Sequence, residues 1–145
     1  MSTIMLRTNQ LTGIIRKLPI NNTIRCMSSN SFTVQDPSDF EKRVNKSNVP
    51  VIVDFFAKWC APCRALAPRL ESVMAEKGDL IKLAKVDIDD NADLALNYKV
   101  GSIPVLVAIR NGKVEERLEG LQDADKIRKF VDKILENNKE KESKK

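Results

Sequence analysis

No histidine occurs anywhere in the 145 residues. That excludes Ser-His and Cys-His triads, and any zinc site with a histidine ligand. Proton transfer at a site must then use a carboxylate, a lysine, a thiol or water. Cysteine is scarce: Cys26, Cys60 and Cys63 are too few for a disulfide scaffold. No apolar run approaches the length of a membrane span, and there is no internal repeat. Acidic residues are missing from one region, residues 1–35, which hold Arg7, Arg16, Lys17 and Arg25 without an Asp or Glu. The net charge is +5, but leaving out those four residues gives 21 basic against 20 acidic. The rest of the chain is nearly neutral and lacks the basic footprint of a nucleic-acid binder. With 42% hydrophobic and 31% charged residues, the chain reads as one soluble globular domain with an ordinary core.

The acid-poor start has its own pattern. Leu11, Ile14, Ile15 and Leu18 fall at i, i+3, i+4 and i+7, one apolar helical face, with Arg16 and Lys17 beside it. Acid-poor, Arg-bearing, Ser-rich and amphipathic is the profile of an organellar transit peptide. The longest apolar stretch there is too short and polar for a secretory signal. Arg25-Cys26-Met27-Ser28-Ser29 resembles a mitochondrial processing site. Residues 1–30 are therefore expected to be a cleavable mitochondrial transit peptide, which puts the protein in the matrix. A plain disordered tail is the alternative. Cleavage there would remove Cys26 or leave it at the very end, so no structural disulfide is expected of it.

The remainder alternates strand and helix. Ser31–Val34 is a short strand, and Asp36-Pro37 is an N-cap with proline at the first helical position. The helix that follows turns Phe40 and Val44 inward. Val51 to Phe56 is apolar on both faces except at Asp54, as in a central strand covered on both sides. A long helix carries Pro68 inside it and ends at Gly78-Asp79. Ile81–Ile88 is the next strand, and Asp89-Asp90-Asn91 caps a short helix. Val105–Ile109 and Val114–Leu118 are strands joined by Asn111-Gly112, a strong hairpin signal. A last helix runs from about Asp123 to Asn137. This is an α/β pattern with a parallel sheet and an antiparallel hairpin edge. The domain should span 31–138, with a charged disordered tail at 139–145.

The chain is organised around Trp59-Cys60-Ala61-Pro62-Cys63-Arg64, at the junction of the central strand and the long helix. Two cysteines separated by two residues, after a strand and at a helix start, point to a redox pair. On a first helical turn such positions lie about 5–6 Å apart, within reach of a disulfide. The helix N-terminus offers free N–H groups and partial positive charge, which favour a thiolate on Cys60. Zinc is the rival, but it wants about four ligands and the chain has neither a second pair nor a histidine. Asp54 is costly inside an apolar strand, and burial would raise its pKa. From periodicity alone, a solvated Asp54 ion-paired with Lys85 is an equal alternative.

Taken together, Asp54, Trp59-Cys60-Ala61-Pro62-Cys63, Pro68, Lys85-Val86-Asp87, Ile103-Pro104, Asn111-Gly112 and Gly120 resemble the thioredoxin family over about residues 31–137. With the leader, the resemblance is to its mitochondrial members. It implies the thioredoxin fold, a central mixed five-stranded sheet flanked by four helices. It also implies a protein-disulfide reductase in which Cys60 is the nucleophile and Cys63 resolves the mixed disulfide. The first cysteine should sit exposed at the helix tip and the second should be more enclosed. Asp54 would relay a proton to and from Cys63, with Lys85 tuning it. Pro104 matches a proline that is cis in the family, which would turn the Ile103 backbone toward the cysteines. Trp59, Ala61, Pro62, Ile103, Pro104 and Gly120 would then bind substrate.

Two departures stand out. Ala61 replaces the usual glycine and blocks no chemistry. Pro62 stands where oxidising, isomerase-type relatives carry histidine, and so argues for a reductant. The resemblance further implies a monomer without bound cofactor or metal, and with neither nucleic acid nor membrane as partner. Electrons would come from NADPH through a thioredoxin reductase and pass to peroxiredoxins and other disulfide-containing proteins. A disulfide oxidase or isomerase, or a non-catalytic binding module on the same fold, are the alternatives.

Overall fold

A computed structural model describes residues 30–142. The expected transit peptide, with Cys26, lies outside the described residues, as do residues 143–145. The central strand β2 (Val51–Phe56) is buried along nearly its whole length, because both of its faces are covered. Its odd-numbered residues Val51, Val53 and Phe55 pack with Phe40 and Val44 on one side. Ile52 points the other way, into a core shared with Leu66, Leu70, Ile127 and Ile134. Asp54 belongs to that second face by strand alternation.

Among the described residues, five strands form one sheet in the order β1-β3-β2-β4-β5. β1 (Ser31–Thr33) and β3 (Lys82–Asp87) run parallel to each other, and β3 runs parallel to β2. β4 (Val105–Arg110) is antiparallel to β2, and β5 (Lys113–Glu119) is antiparallel to β4. This is the mixed five-stranded sheet that the sequence implied. The β4–β5 turn has Asn111 at φ +50° and Gly112 at φ +72°. Such left-handed pairs match the twist of a two-residue hairpin.

Four α-helices among the described residues flank the sheet. α1 (Pro37–Phe40) starts as expected: Asp36 Oδ1 accepts from the Asp39 N–H at 2.8 Å. It widens at once into a π-helical turn, Glu41–Asn45, in which Asn45 donates to Glu41 and accepts from the Tyr98 hydroxyl. α2 (Ala61–Lys77) continues through Pro68 and stops at Gly78, whose φ of +55° suits a residue without a Cβ. α3 (Ala92–Asn97) begins after Asn91, but the Asn91 side chain makes no cap and turns back toward the Asp87 carbonyl.

Two boundaries shift from the sequence reading. α4 (Ala124–Glu142) runs past Asn137 through residues 139–142, which the sequence assigned to a disordered tail. The sequence also assigned Asn30 to the leader, yet its side-chain amide donates to the carbonyls of Met74 (3.0 Å) and Gly78 (2.9 Å). It thereby satisfies carbonyls that the end of α2 leaves open. Among the described residues no helix is long and apolar enough to cross a membrane.

Candidate active site

β2 delivers the chain to the N-terminus of α2, and the cysteines sit at that junction. Cys60 is the N-cap of α2, with extended backbone, and Cys63 lies in the first turn. Their Cα atoms are 5.3 Å apart and their sulfurs are joined in a disulfide. The Cys63 N–H points at Cys60 Sγ at 3.2 Å. A donor aimed at that sulfur favours negative charge on it when the bond opens.

One expectation is corrected here. Cys60 is no more exposed than Cys63, and both are 5% exposed. Phe56, Ala57, Ile88 and Ile103 pack around the pair. The bonded sulfurs share one enclosure, so in the oxidised form the two cysteines differ in hydrogen bonding and not in exposure.

Asp54 lies beneath them on β2 and is 4% exposed. Its Oδ1 has no hydrogen-bond partner. Burial pushes its carboxyl from 3.8 up to about 7, with Lys85 pulling it down and Glu71 pushing it up. This disposes of the solvated Asp54. The expected closeness to Lys85 is present in the strand register, where Asp54 and Lys85 are partners on neighbouring parallel strands. The ion pair is not: Lys85 Nζ bonds to the Glu71 carboxylate on α2. A cavity of about 310 Å³ opens beside these groups, lined by Asp54, Lys58, Cys63, Arg64, Ala67 and Lys85. Asp54 and Cys63 thus border one space in which water can stand between them.

The rim is built by loops. The Ile103–Pro104 bond is cis, and the Gly120 N–H donates to the Pro104 carbonyl at 2.9 Å. Gly120 has φ +79°, which a side chain would strain. Ile103 is half-buried against the cysteines. Ala61 and Pro62 are exposed, and Trp59 is 66% exposed although it is the chain's one tryptophan. Its Nε1 donates to Asp89 Oδ2 at 3.0 Å. Lys58 Nζ lies 3.5 Å from the buried Asp87 and 3.9 Å from Asp90. Ile103, Cys60 and Cys63 are in contact, and Pro104 is tied to Gly120. Trp59 instead leans toward the loop after β3.

Sequence reasoning gave no site role to Glu71, Asp89 or Asp87. Glu71 had a usable signal: residues 63, 67 and 71 recur every fourth position and share one face of α2. Among the described residues no group of three or more cysteine, aspartate or glutamate side chains is arranged to hold a metal ion.

The family model for thioredoxin matches residues 31–133. The mitochondrial thioredoxin of Rattus norvegicus is 46% identical over 125 residues, covering 86% of this chain and 75% of the rat protein. That of Bos taurus is 46% identical over 107 residues, covering 74% of this chain and 64% of the bovine protein. Among solved structures, Fasciola hepatica thioredoxin superposes with a TM-score of 0.64 at 35% identity, covering 70% of this chain and 97% of the other.

Proposed function

The chain belongs to the thioredoxin family, and from that premise we infer a protein-disulfide reductase working through Cys60 and Cys63. It takes disulfide-containing proteins as substrates and depends on a reductase partner to regain its dithiol. The observation that carries this is the Cys60–Cys63 disulfide across the first turn of α2, with the Cys63 N–H directed at Cys60 Sγ.

The steps follow from the site. In the reduced protein, Cys60 as thiolate attacks one sulfur of a substrate disulfide. The substrate S–S bond breaks, one substrate thiolate leaves, and a mixed disulfide forms. The Cys63 thiol gives its proton to the Asp54 carboxylate, directly or through water in the shared cavity. Cys63 then attacks Cys60 Sγ, closes the Cys60–Cys63 bond and expels the second substrate thiolate. Two electrons have moved from the dithiol to the substrate. An Asp54 pKa near 7 suits this proton exchange at neutral pH. Trp59, Ala61, Pro62, Ile103 and Gly120 form the surface offered to an extended substrate segment, and Pro104, itself buried, shapes it through its cis bond.

The electrons come from NADPH through a thioredoxin reductase, and peroxiredoxins are among the acceptors. The protein works as a monomer in the mitochondrial matrix. Support for the location is the acid-poor amphipathic leader and the mitochondrial thioredoxins of rat and cattle among the relatives. Insulin reduction coupled to NADPH and a thioredoxin reductase tests the activity. Wild type should turn over and Cys60→Ser should not; activity surviving in Cys60→Ser removes the nucleophile assignment. N-terminal sequencing of the mature protein tests the leader.

A further inference from the structure

The Glu71–Lys85 ion pair beside Asp54 has no place in the exchange steps. Lys85 stands opposite Asp54 in the parallel register of β2 and β3, and such strands lie about 4.8 Å apart. Its flexible stem gives the ammonium a choice between two carboxylates. One is Asp54, buried on the strand. The other is Glu71, on the helix above, with a side chain 52% exposed. Pairing with Asp54 would draw the ammonium away from water, whereas pairing with Glu71 leaves both charges partly hydrated. The Lys85 side chain is 25% exposed and bonds to Glu71. Asp54 Oδ1 stays without a partner.

The other cations on the cavity are also engaged. Lys58, in the loop after β2, faces Asp87 and Asp90. Arg64, on α2, donates to the Lys58 carbonyl at 3.0 Å. From β4 the register partner of Asp54 is Leu106, which brings no charge. Cys63 on α2 is the remaining titratable group, and it lies in the disulfide when the protein is oxidised.

We propose that Glu71 is a positioning residue for disulfide reduction: it holds the Lys85 ammonium on α2 and so keeps Asp54 an unpaired buried carboxyl, free to exchange a proton with Cys63. This rests on the reading of Asp54 as the proton relay. In keeping with it, Glu71 raises and Lys85 lowers the Asp54 pKa, whose main cause is burial. Without Glu71 the lysine can turn to Asp54, and an opposite charge that close lowers a carboxyl pKa by about one to three.

The test is a side-chain carboxyl NMR titration of Asp54 in the full-length oxidised protein, where the cysteines do not titrate. In Glu71→Gln the Asp54 midpoint should fall by about one pH unit. Glu71→Asp should restore it, and adding Lys85→Met to Glu71→Gln should bring it back to the wild-type value or above. The acidic limb of mixed-disulfide release should move to lower pH in Glu71→Gln by the same amount. A merely structural Glu71 would lower the unfolding midpoint and leave the titration in place, so an unmoved Asp54 midpoint in Glu71→Gln overturns the proposal. Release unchanged in Asp54→Asn overturns the relay itself, whatever the titration shows. The two failures are thereby distinct.

Discussion

Trp59 and Asp89, thirty residues apart in the chain, are joined by a hydrogen bond from the indole Nε1 to the carboxylate. The bond fixes an exposed aromatic ring directly before Cys60. It converts a residue that would sweep over the site into one held against the loop after β3. A substrate then meets a surface whose ordering cost is already partly met. Asp89→Ala should lower kcat/KM for a protein disulfide about twofold to fivefold, in line with an exposed hydrogen bond of about 0.5–1 kcal/mol. The change should fall mainly on KM. Trp59 is the only tryptophan, so its fluorescence anisotropy should drop in the variant. Unchanged anisotropy would show that packing alone holds the ring.

Asp54 should make the folded state pH-sensitive. Burial holds its carboxyl at about 7 in the folded protein against 3.8 for a solvated aspartate, so between those values the folded protein holds a proton that the unfolded chain has lost. The Asp54 contribution is fully present below about pH 4 and declines as pH rises toward 7. The total is on the order of 4 kcal/mol. Asp54→Asn removes that decline. Urea unfolding at a series of pH values should show the variant's advantage growing from pH 4 and levelling off above pH 7. A constant difference across that range would contradict the buried, unpaired carboxyl.

The two cysteines should fail in different ways. Cys60→Ser should abolish insulin reduction. Cys63→Ser retains the attacking thiol and loses the resolving one, so it should stop at a one-to-one mixed disulfide with substrate. Non-reducing gel electrophoresis and intact mass should detect that adduct, and dithiothreitol should release it. An adduct on Cys60→Ser instead would reverse the assignment.

Asn30 should contribute to stability although it precedes the first strand. Its amide bonds to carbonyls at the end of α2, and Asn30→Ala leaves those groups to water. A loss of about 1 kcal/mol is expected, seen as a lower urea midpoint with an unchanged slope. Insulin reduction at room temperature should hardly change, since the cysteines lie at the other end of the helix.

What could be read from the sequence was written in local signals. Asp36-Pro37 specifies a helix start within a few residues, and Asn111-Gly112 specifies a hairpin. The apolar neighbours on either side of Asp54 left burial and solvation equally open, and only the family resemblance favoured the burial that the structure shows. The Cys60–Cys63 spacing carried the redox site, and the wider set of residues carried the fold. What was hidden depends on packing between distant elements. The helical spacing places Glu71 on the Cys63 face of α2, but that Lys85 reaches it rather than Asp54 depends on how α2 packs against β3. The equal enclosure of Cys60 and Cys63 comes from Phe56, Ile88 and Ile103 closing over both. Asn30 looked like leader because its neighbours are polar; its role follows from where α2 happens to end.

The outer strands of the sheet are poor templates for a further strand. β1 is three residues long. β5 carries charge at Lys113, Glu115, Glu116, Arg117 and Glu119, five of its seven positions. Several of these charges are tied down: Lys133 pairs with Glu116, and Arg117 donates to the carbonyls of Tyr98 and Lys99. A neighbouring chain that added itself to that edge would have to displace these contacts or bring charge against charge. Crowded copies of the protein therefore gain little by joining sheets, and a molecule that spends its working life opening and closing its own disulfide is shielded from edge-to-edge aggregation while it does so.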